Sequence, residues 1–137
     1  VGALNMKMIN PSEDRINEVV AVEVAGWTHV RSFIRIRTHD RIHILKGFPP
    51  GMKRSRSNGR GRQVPAFTRS ADAVLPLLEK QGYWSTSLSS HASPAVSYAV
   101  HCGASSVGYA DEFPLAACIA LLRSKGISVE FTGEGRT

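Results

Sequence analysis

No stretch of this chain approaches the roughly 18 consecutive apolar residues that a membrane-spanning helix needs. Residues 1–10 hold no apolar block followed by a small-residue cleavage site, so no secretory leader is expected there. Cysteine is scarce. Cys102 and Cys118 are the only two, too few for a disulfide framework, and Cys118 falls on the apolar side of an expected helix. A buried free thiol, suited to a reducing cytoplasm, is the reading they favour. The chemical signatures of common enzymes are missing too. There is no G-x-S-x-G turn and no phosphate-binding loop of the Walker type. Gly59-Arg60-Gly61-Arg62 is too short for a dinucleotide fingerprint and leads from no strand into a helix. No aromatic occurs between positions 49 and 66, which argues against stacking of single-stranded bases on that stretch.

Acidic residues are absent where basic ones gather. Lys46, Lys53, Arg54, Arg56, Arg60 and Arg62 share a window without one carboxylate. Of the 17 basic residues these are six, and the remaining eleven are balanced by the eleven acids of the chain. The surplus of +6 therefore lies in one place. The 137 residues suffice for one domain with a real core. Hydrophobic and charged contents of 42% and 20% are those of a globular domain.

The chain divides around Val64–Leu75, where the basic glycine-rich run ends. Pro65 fixes an extended backbone, Phe67 is a large apolar anchor, and Thr68 or Ser70 can cap a helix. Ala71, Val74, Leu75 and Leu78 follow at helical spacing, and Gly82 is the expected stop. Pro76 inside this helix deletes a hydrogen bond and should bend it. Upstream, Asn10 is expected to cap a first helix, with Pro11 at its first position and Glu13 closing a capping box. Val20, Val22 and Val24 alternate as a strand would, yet the start signals and Gly26 favour helix. Residues 33–37 and 42–46 read as two strands with a turn at 38–41. Residues 47–63 read as an exposed flexible loop rich in glycine and proline. Tyr83–Leu88, Ala95–Cys102 and Ser106–Tyr109 predict a three-stranded antiparallel meander. Asp111 and Glu112 suit the start of a last helix bearing Leu115, Cys118, Ile119 and Leu122 on one face. Ile127, Val129 and Phe131 alternate as a final strand. The expected architecture is a single α+β domain over residues 10–132, an α/β/α-type sandwich with a mostly antiparallel sheet and about three helices. Residues 1–9 are expected to be a disordered start, with residues 1–5 foreign to the fold, and 133–137 a frayed tail.

Three segments, in order, carry a resemblance. Val19–Trp27 ends in Gly26-Trp27. Pro65-Ala66-Phe67-Thr68-Arg69-Ser70-Ala71-Asp72-Ala73 matches a P-x-Y/F-T/S-x-S-x-D-A pattern, and Phe113-Pro114-Leu115-Ala116-Ala117-Cys118 matches a P-L-A-x-C helix start. The chain thus resembles the phage α-β-α sandwich domain, a family of small phage and prophage proteins, over most of residues 19–126. That resemblance implies a sandwich fold and a viral origin, and brings no catalytic residues. Pro76 and the strongly basic loop depart from the family pattern.

The polyanion- or partner-binding candidates are Lys53, Arg54, Arg56, Arg60 and Arg62 in the loop, extended by Arg35 and Arg37, which share a strand face with Phe33. Arg31 and Arg41 can enlarge the same surface. The charge pattern alone leaves open a nucleic acid, an acidic protein partner, or a merely solvated loop. His39 and His43 are four apart but lack a third ligand, so no metal is expected. His101 and Cys102 are neighbours whose side chains point to opposite faces of a strand, which excludes a nucleophile–base pair between them; His91 is a conceivable partner for Cys102 only through a contact in the fold. Ser85, Ser87 and Ser89 alternate on what reads as a solvated sheet face. Trp27, Tyr83, Trp84 and Tyr98 are core or interface candidates. The expectation is a non-enzymatic phage-encoded binding protein without cofactor, in the cytoplasm of a bacterial host. It would act on a host macromolecule or nucleotide-like signal and inhibit a host process such as antiviral defence. The alternative is a nucleic-acid-binding accessory protein of phage DNA metabolism. Self-association through strand edges is also expected to be open to it.

Overall fold

The computed structural model describes residues 6–53, 55–59, 61–88, 98–103 and 106–131, with Arg37 and Asn58 described by their backbone alone. In chain order the elements are β1 (Lys7–Ile9), α1 (Glu13–Val19) continued by a π-helical turn (Val20–Val24), β2 (Thr28–Arg37), β3 (Asp40–Phe48), a short 3-10 turn (Arg56–Asn58), β4 (Arg62–Gln63), α2 (Ala71–Lys80), β5 (Trp84–Leu88), β6 (Tyr98–Cys102), β7 (Ser106–Ala110), α3 (Phe113–Ser124) and β8 (Ser128–Glu130). This is a mixed α+β single domain. Its strands fall into three sheets: a parallel pair β1–β8, an antiparallel sheet in the order β2-β3-β4, and the antiparallel meander β5-β6-β7.

The meander and α3 form the centre. In a strand alternate residues share a face, so Trp84, Val100, Cys102, Gly108 and Ala110 point one way, onto α3. Ala116, Ala117 and Ala120 are fully buried there, and their small side chains let the sheet come close. A Cβ built on Gly108 would collide with the Ala116 carbonyl oxygen and stand 2.6 Å from the Ala120 nitrogen. Cys118, Ile119, Leu121 and Leu122 are buried as well, so α3 is enclosed on nearly every side. Val74 and Leu78 of α2 and Ile16, Val19 and Val20 of the first helix complete the core. Trp84 and Tyr98 meet Phe113 with ring centroids 6.1 and 6.4 Å apart where α3 begins.

The first helix starts two residues later than the sequence suggests. Asn10 sits at φ 48 and its N–H donates to the Glu130 carbonyl at 2.7 Å, so it belongs to the β1–β8 junction. Ser12 is the cap, accepting from the Arg15 N–H at 3.1 Å. Glu13, freed from a capping box, reaches across the fold instead. Its Oε1 accepts from Thr68 Oγ1 at 3.1 Å and from Arg69 Nε at 2.8 Å. The buried Asn17 Oδ1 accepts the Thr68 N–H at 2.9 Å. Thr68 is thereby the tie between α1 and the turn before α2, while Ser70 caps α2 through the Ala73 N–H. Val20–Val24 is helical, and Gly26 follows at φ 81. Pro76 lies on the exposed side of α2, which runs from Ala71 to Lys80 with the proline inside it.

Residues 7–9, expected to be part of a disordered start, are a strand. Lys7, Met8 and Ile9 pair in parallel with Ser128, Val129 and Glu130, and Met8 and Val129 are buried. The register was hidden because three residues give no usable period. Residues 1–5, the 133–137 tail and Ala95–Ser97 of the predicted middle meander strand lie outside the described residues. Arg123, at the far end of α3, donates to the Val107 carbonyl at 2.8 Å and the Val129 carbonyl at 2.7 Å, joining the meander to the β1–β8 pair.

Candidate anion-binding arm and loop

Two features of the sequence build the site. The first is a long hairpin with no apolar face to bury at its far end: every described side chain from Ile34 to His43 is exposed. Ile34 and Ile36 keep 56% and 71% of their surface in water, values foreign to a core strand. Beyond Phe33 the β2–β3 hairpin is therefore an arm standing clear of the body. Its turn is Thr38-His39, with Arg37 opposite Asp40 and Thr38 at φ 58.

Cross-strand partners in an antiparallel pair share a face, which sorts the side chains. Ile34 lies opposite His43 and Ile36 opposite Arg41 on one face. Arg35 lies opposite Ile42 and Arg31 opposite Lys46 on the other. Gln63 of β4 continues the Arg31–Lys46 row, and Arg62 stands opposite Gly47.

The second feature is the basic loop, which begins later and ends sooner than residues 47–63. Gly47 and Phe48 are buried in β3, and Arg62–Gln63 form β4 against Lys46–Gly47. The closure is tight. Gly61, at φ 87, lies so near Gly47 that a Cβ on it would overlap the Gly47 carbonyl oxygen and come 2.7 Å from its carbon. Gly61 thus needs both its left-handed backbone and its bare Cα. Phe48 is flanked by the His29 ring at 6.0 Å. The end of the loop is in this way sewn to the foot of the arm, which sets Arg62 beside the strand that carries Lys46.

Lys53, Arg56 and Arg62 are exposed, as are Arg31, Arg35 and Arg41. Arg54 and Arg60 lie outside the described residues, and Arg37 is placed only by its backbone. The ion pairs among the described residues join Lys7 to Glu130, Arg15 to Glu18 and Arg69 to Glu13, and none uses Arg31, Arg35, Arg41, Arg56 or Arg62. The sequence explains why. Between Glu23 and Asp72 stand eleven lysines and arginines and one acid, Asp40. This wider interval was the better signal: charge counted over the window of residues 46–62 understated the arm, whose alternation of isoleucine and arginine reads as an ordinary half-buried strand.

A comparison with solved structures bears on the fold. A phage protein from Bacillus cereus ATCC 14579 is similar to this chain with a TM-score of 0.56, over 86% of this chain and 91% of that chain, at 17% sequence identity. What the two share is the fold. No family model and no curated protein matches the sequence.

The remaining chemical candidates separate in space. Cys102 is buried on the α3 side of the meander and His101 is exposed on the other. Burial pushes the Cys102 thiol above its ordinary range, offset in part by a hydrogen bond with Ser124, and pushes Cys118 far higher. Both are free and poor nucleophiles at neutral pH. His91 lies outside the described residues. His39 and His43 are exposed on the arm, and among the described residues no three of His, Cys, Asp and Glu gather as a metal would require. One juxtaposition was invisible in the sequence because it depends on register. Ser85 lies directly opposite His101, and with Gln81, Tyr83 and Gly103 they line an open cleft of about 830 Å³. Among the described residues no hydrogen bond joins Ser85 to His101 and no carboxylate lines the cleft.

Proposed function

We propose that this chain is a non-enzymatic phage binding protein that engages an anionic host target through its arm and basic loop. The observation that carries the reading is the run from Glu23 to Asp72, with eleven cations and one acid, folded so that the end of the loop pairs with the foot of the arm and Arg31, Arg35, Arg41, Lys53, Arg56 and Arg62 are each exposed. Clustered cations in water attract phosphates or carboxylates over roughly a Debye length and accelerate encounter. The fold likeness to a phage protein supports the viral origin, and the three segments similar to the phage α-β-α sandwich family support it further. On this reading the target is a host nucleic acid, acidic protein or nucleotide-like signal, sequestered to inhibit a host process such as antiviral defence. Purification from bacterial lysate at low salt, followed by mass spectrometry and absorbance ratios of what is retained, identifies the target class. Retention of nothing anionic overturns the reading.

A second reading, an accessory protein of phage DNA metabolism, is favoured by the shape of the arm. A two-stranded ribbon open on both faces suits a nucleic-acid groove.

A further inference from the structure

We infer that the β2–β3 arm is a groove-entering ribbon that inserts, turn first, into the major groove of double-stranded DNA. This rests on the anionic-target reading above and adds which polyanion and which part of the protein meets it.

The arm has the same chemistry on its two sides. Ile36 and Arg41 sit side by side on one face, Arg35 and Ile42 on the other. All four are exposed. A flat acidic protein surface would meet only one of these faces and leave the other an isoleucine in water for no gain. A slot with two like walls meets both. The major groove is such a slot, with a sugar–phosphate chain on each side: the arginines reach phosphates and the isoleucines lie against sugars and thymine methyls.

The sizes agree. Protein layers packed face to face need about 10 Å, so the ribbon with its side chains fills a groove about 12 Å wide and is excluded from one of about 6 Å. From Ile34 to the turn the strand advances about 13 Å, enough to reach a floor about 8.5 Å deep while the body stays outside. The single acid also falls where such a fit allows it. Asp40 is at the turn, at the floor of the groove, where cytosine amino groups donate and phosphates are most distant. Arg37 is its cross-strand partner, and Arg41 and Arg35 stand one and two residues behind that pair, level with the walls. At the foot, Arg31, Lys46 and Arg62 lie where the backbone passes outside the groove.

A second copy of the chain is a poor occupant of this arm. Two-fold pairing of β2 with itself, centred on any residue from Phe33 to Ile36, sets arginine opposite arginine, which is destabilising.

The test uses the full chain, a fluorescein-labelled 20-bp duplex of mixed sequence, anisotropy at several salt concentrations, and dimethyl sulfate protection of guanine N7, an atom of the major groove. The variants are Arg35→Ser, Arg41→Ser and the pair together, with Arg56→Ser/Arg62→Ser as the loop control. The arm side chains are exposed, so circular dichroism and melting should be unchanged. The expected result is N7 protection by the wild type, comparable loss from either single arm variant, at least tenfold weaker binding for the pair, and a log–log salt slope reduced by about two. Duplex binding without N7 protection, or binding that one face's arginine does not affect, overturns the arm inference and leaves the anionic-target reading standing. Equal competition by polyglutamate overturns it in favour of an acidic protein. Failure to bind duplex, heparin and polyglutamate alike at 50 mM salt, roughly where phosphate-binding proteins are tightest, overturns both.

Discussion

Replacing Gly108 by alanine is a small change with an outcome that divides two ways of thinking about the core. From strand propensity alone, alanine in place of a strand glycine should be neutral or stabilising by about 0.5–1 kcal/mol, because glycine loses more freedom on folding. The structure predicts the opposite. The added Cβ would meet the Ala116 carbonyl oxygen and lie 2.6 Å from the Ala120 nitrogen and 3.0 Å from Ile119 Cβ. Two of these are backbone atoms of an enclosed helix, and no rotamer change relieves them. β7 and α3 must move apart, which opens the buried layer of Ala116, Ile119 and Ala120. Overpacking of this kind costs about 1–3 kcal/mol, and contact with backbone places it at the upper end. For a chain of this length about 3 kcal/mol lowers the melting temperature by roughly 10 °C. Gly103→Ala is the control, since Gly103 is at φ 69 with nothing within 4 Å of a Cβ. It adds only left-handed strain of about 1 kcal/mol. Urea and thermal denaturation followed by circular dichroism measure both. Gly108→Ala as stable as wild type, or less damaging than Gly103→Ala, would refute the close helix–strand contact.

Four further outcomes are expected. Asn17→Ala removes the acceptor for the Thr68 N–H and leaves that donor buried, so urea unfolding should show a loss of about 1–3 kcal/mol; Arg69→Ala breaks only an exposed ion pair and should cost under about 1 kcal/mol. Arg123→Met removes both bonds to the Val107 and Val129 carbonyls, with about 1.5–3 kcal/mol expected in the same assay. Because burial raises the Cys118 pKa, the folded state keeps a proton that the unfolded chain releases above about pH 8.5. That stabilisation is full below this pH and falls as pH rises, by up to about 1.4 kcal/mol per unit, and Cys118→Ala should flatten the decline; equal slopes would contradict it. Gly61→Ala should separate β4 from β3, seen as faster amide exchange at Val64, whose N–H donates to the Leu45 carbonyl at 2.8 Å, while the core amides of α3 stay protected.

Local signals carried much of this fold. Helical spacing at Val74 and Leu78, the cap at Ser70 and the glycine after α2 are decided within one or two turns of chain, and so are legible without tertiary knowledge. The meander likewise follows from short β-rich runs and their turns. What was illegible depends on partners far apart. The pairing of Met8 with Val129 spans nearly the whole chain, and neither strand is long enough to show a period. The cap moved from Asn10 to Ser12 because Asn10 is claimed by Glu130, and Glu13 left its local partner for Thr68 and Arg69. At the candidate site, the sequence exposes an excess of cations but not their arrangement: Ile34, Ile36 and Ile42 look like core residues until the arm is seen to have nothing packed on it. Ser85 and His101 become neighbours only through a register that no residue type specifies.

The account stands on where anions bind, and backbone amide shifts during titration with a short heparin oligosaccharide locate that directly. The predicted result is saturable movement of amides in residues 31–48 and 55–63, abolished at high salt, with α3 and the cleft around Tyr83 and His101 unmoved. Shifts centred on that cleft, or none in the arm and loop at low salt, would contradict it.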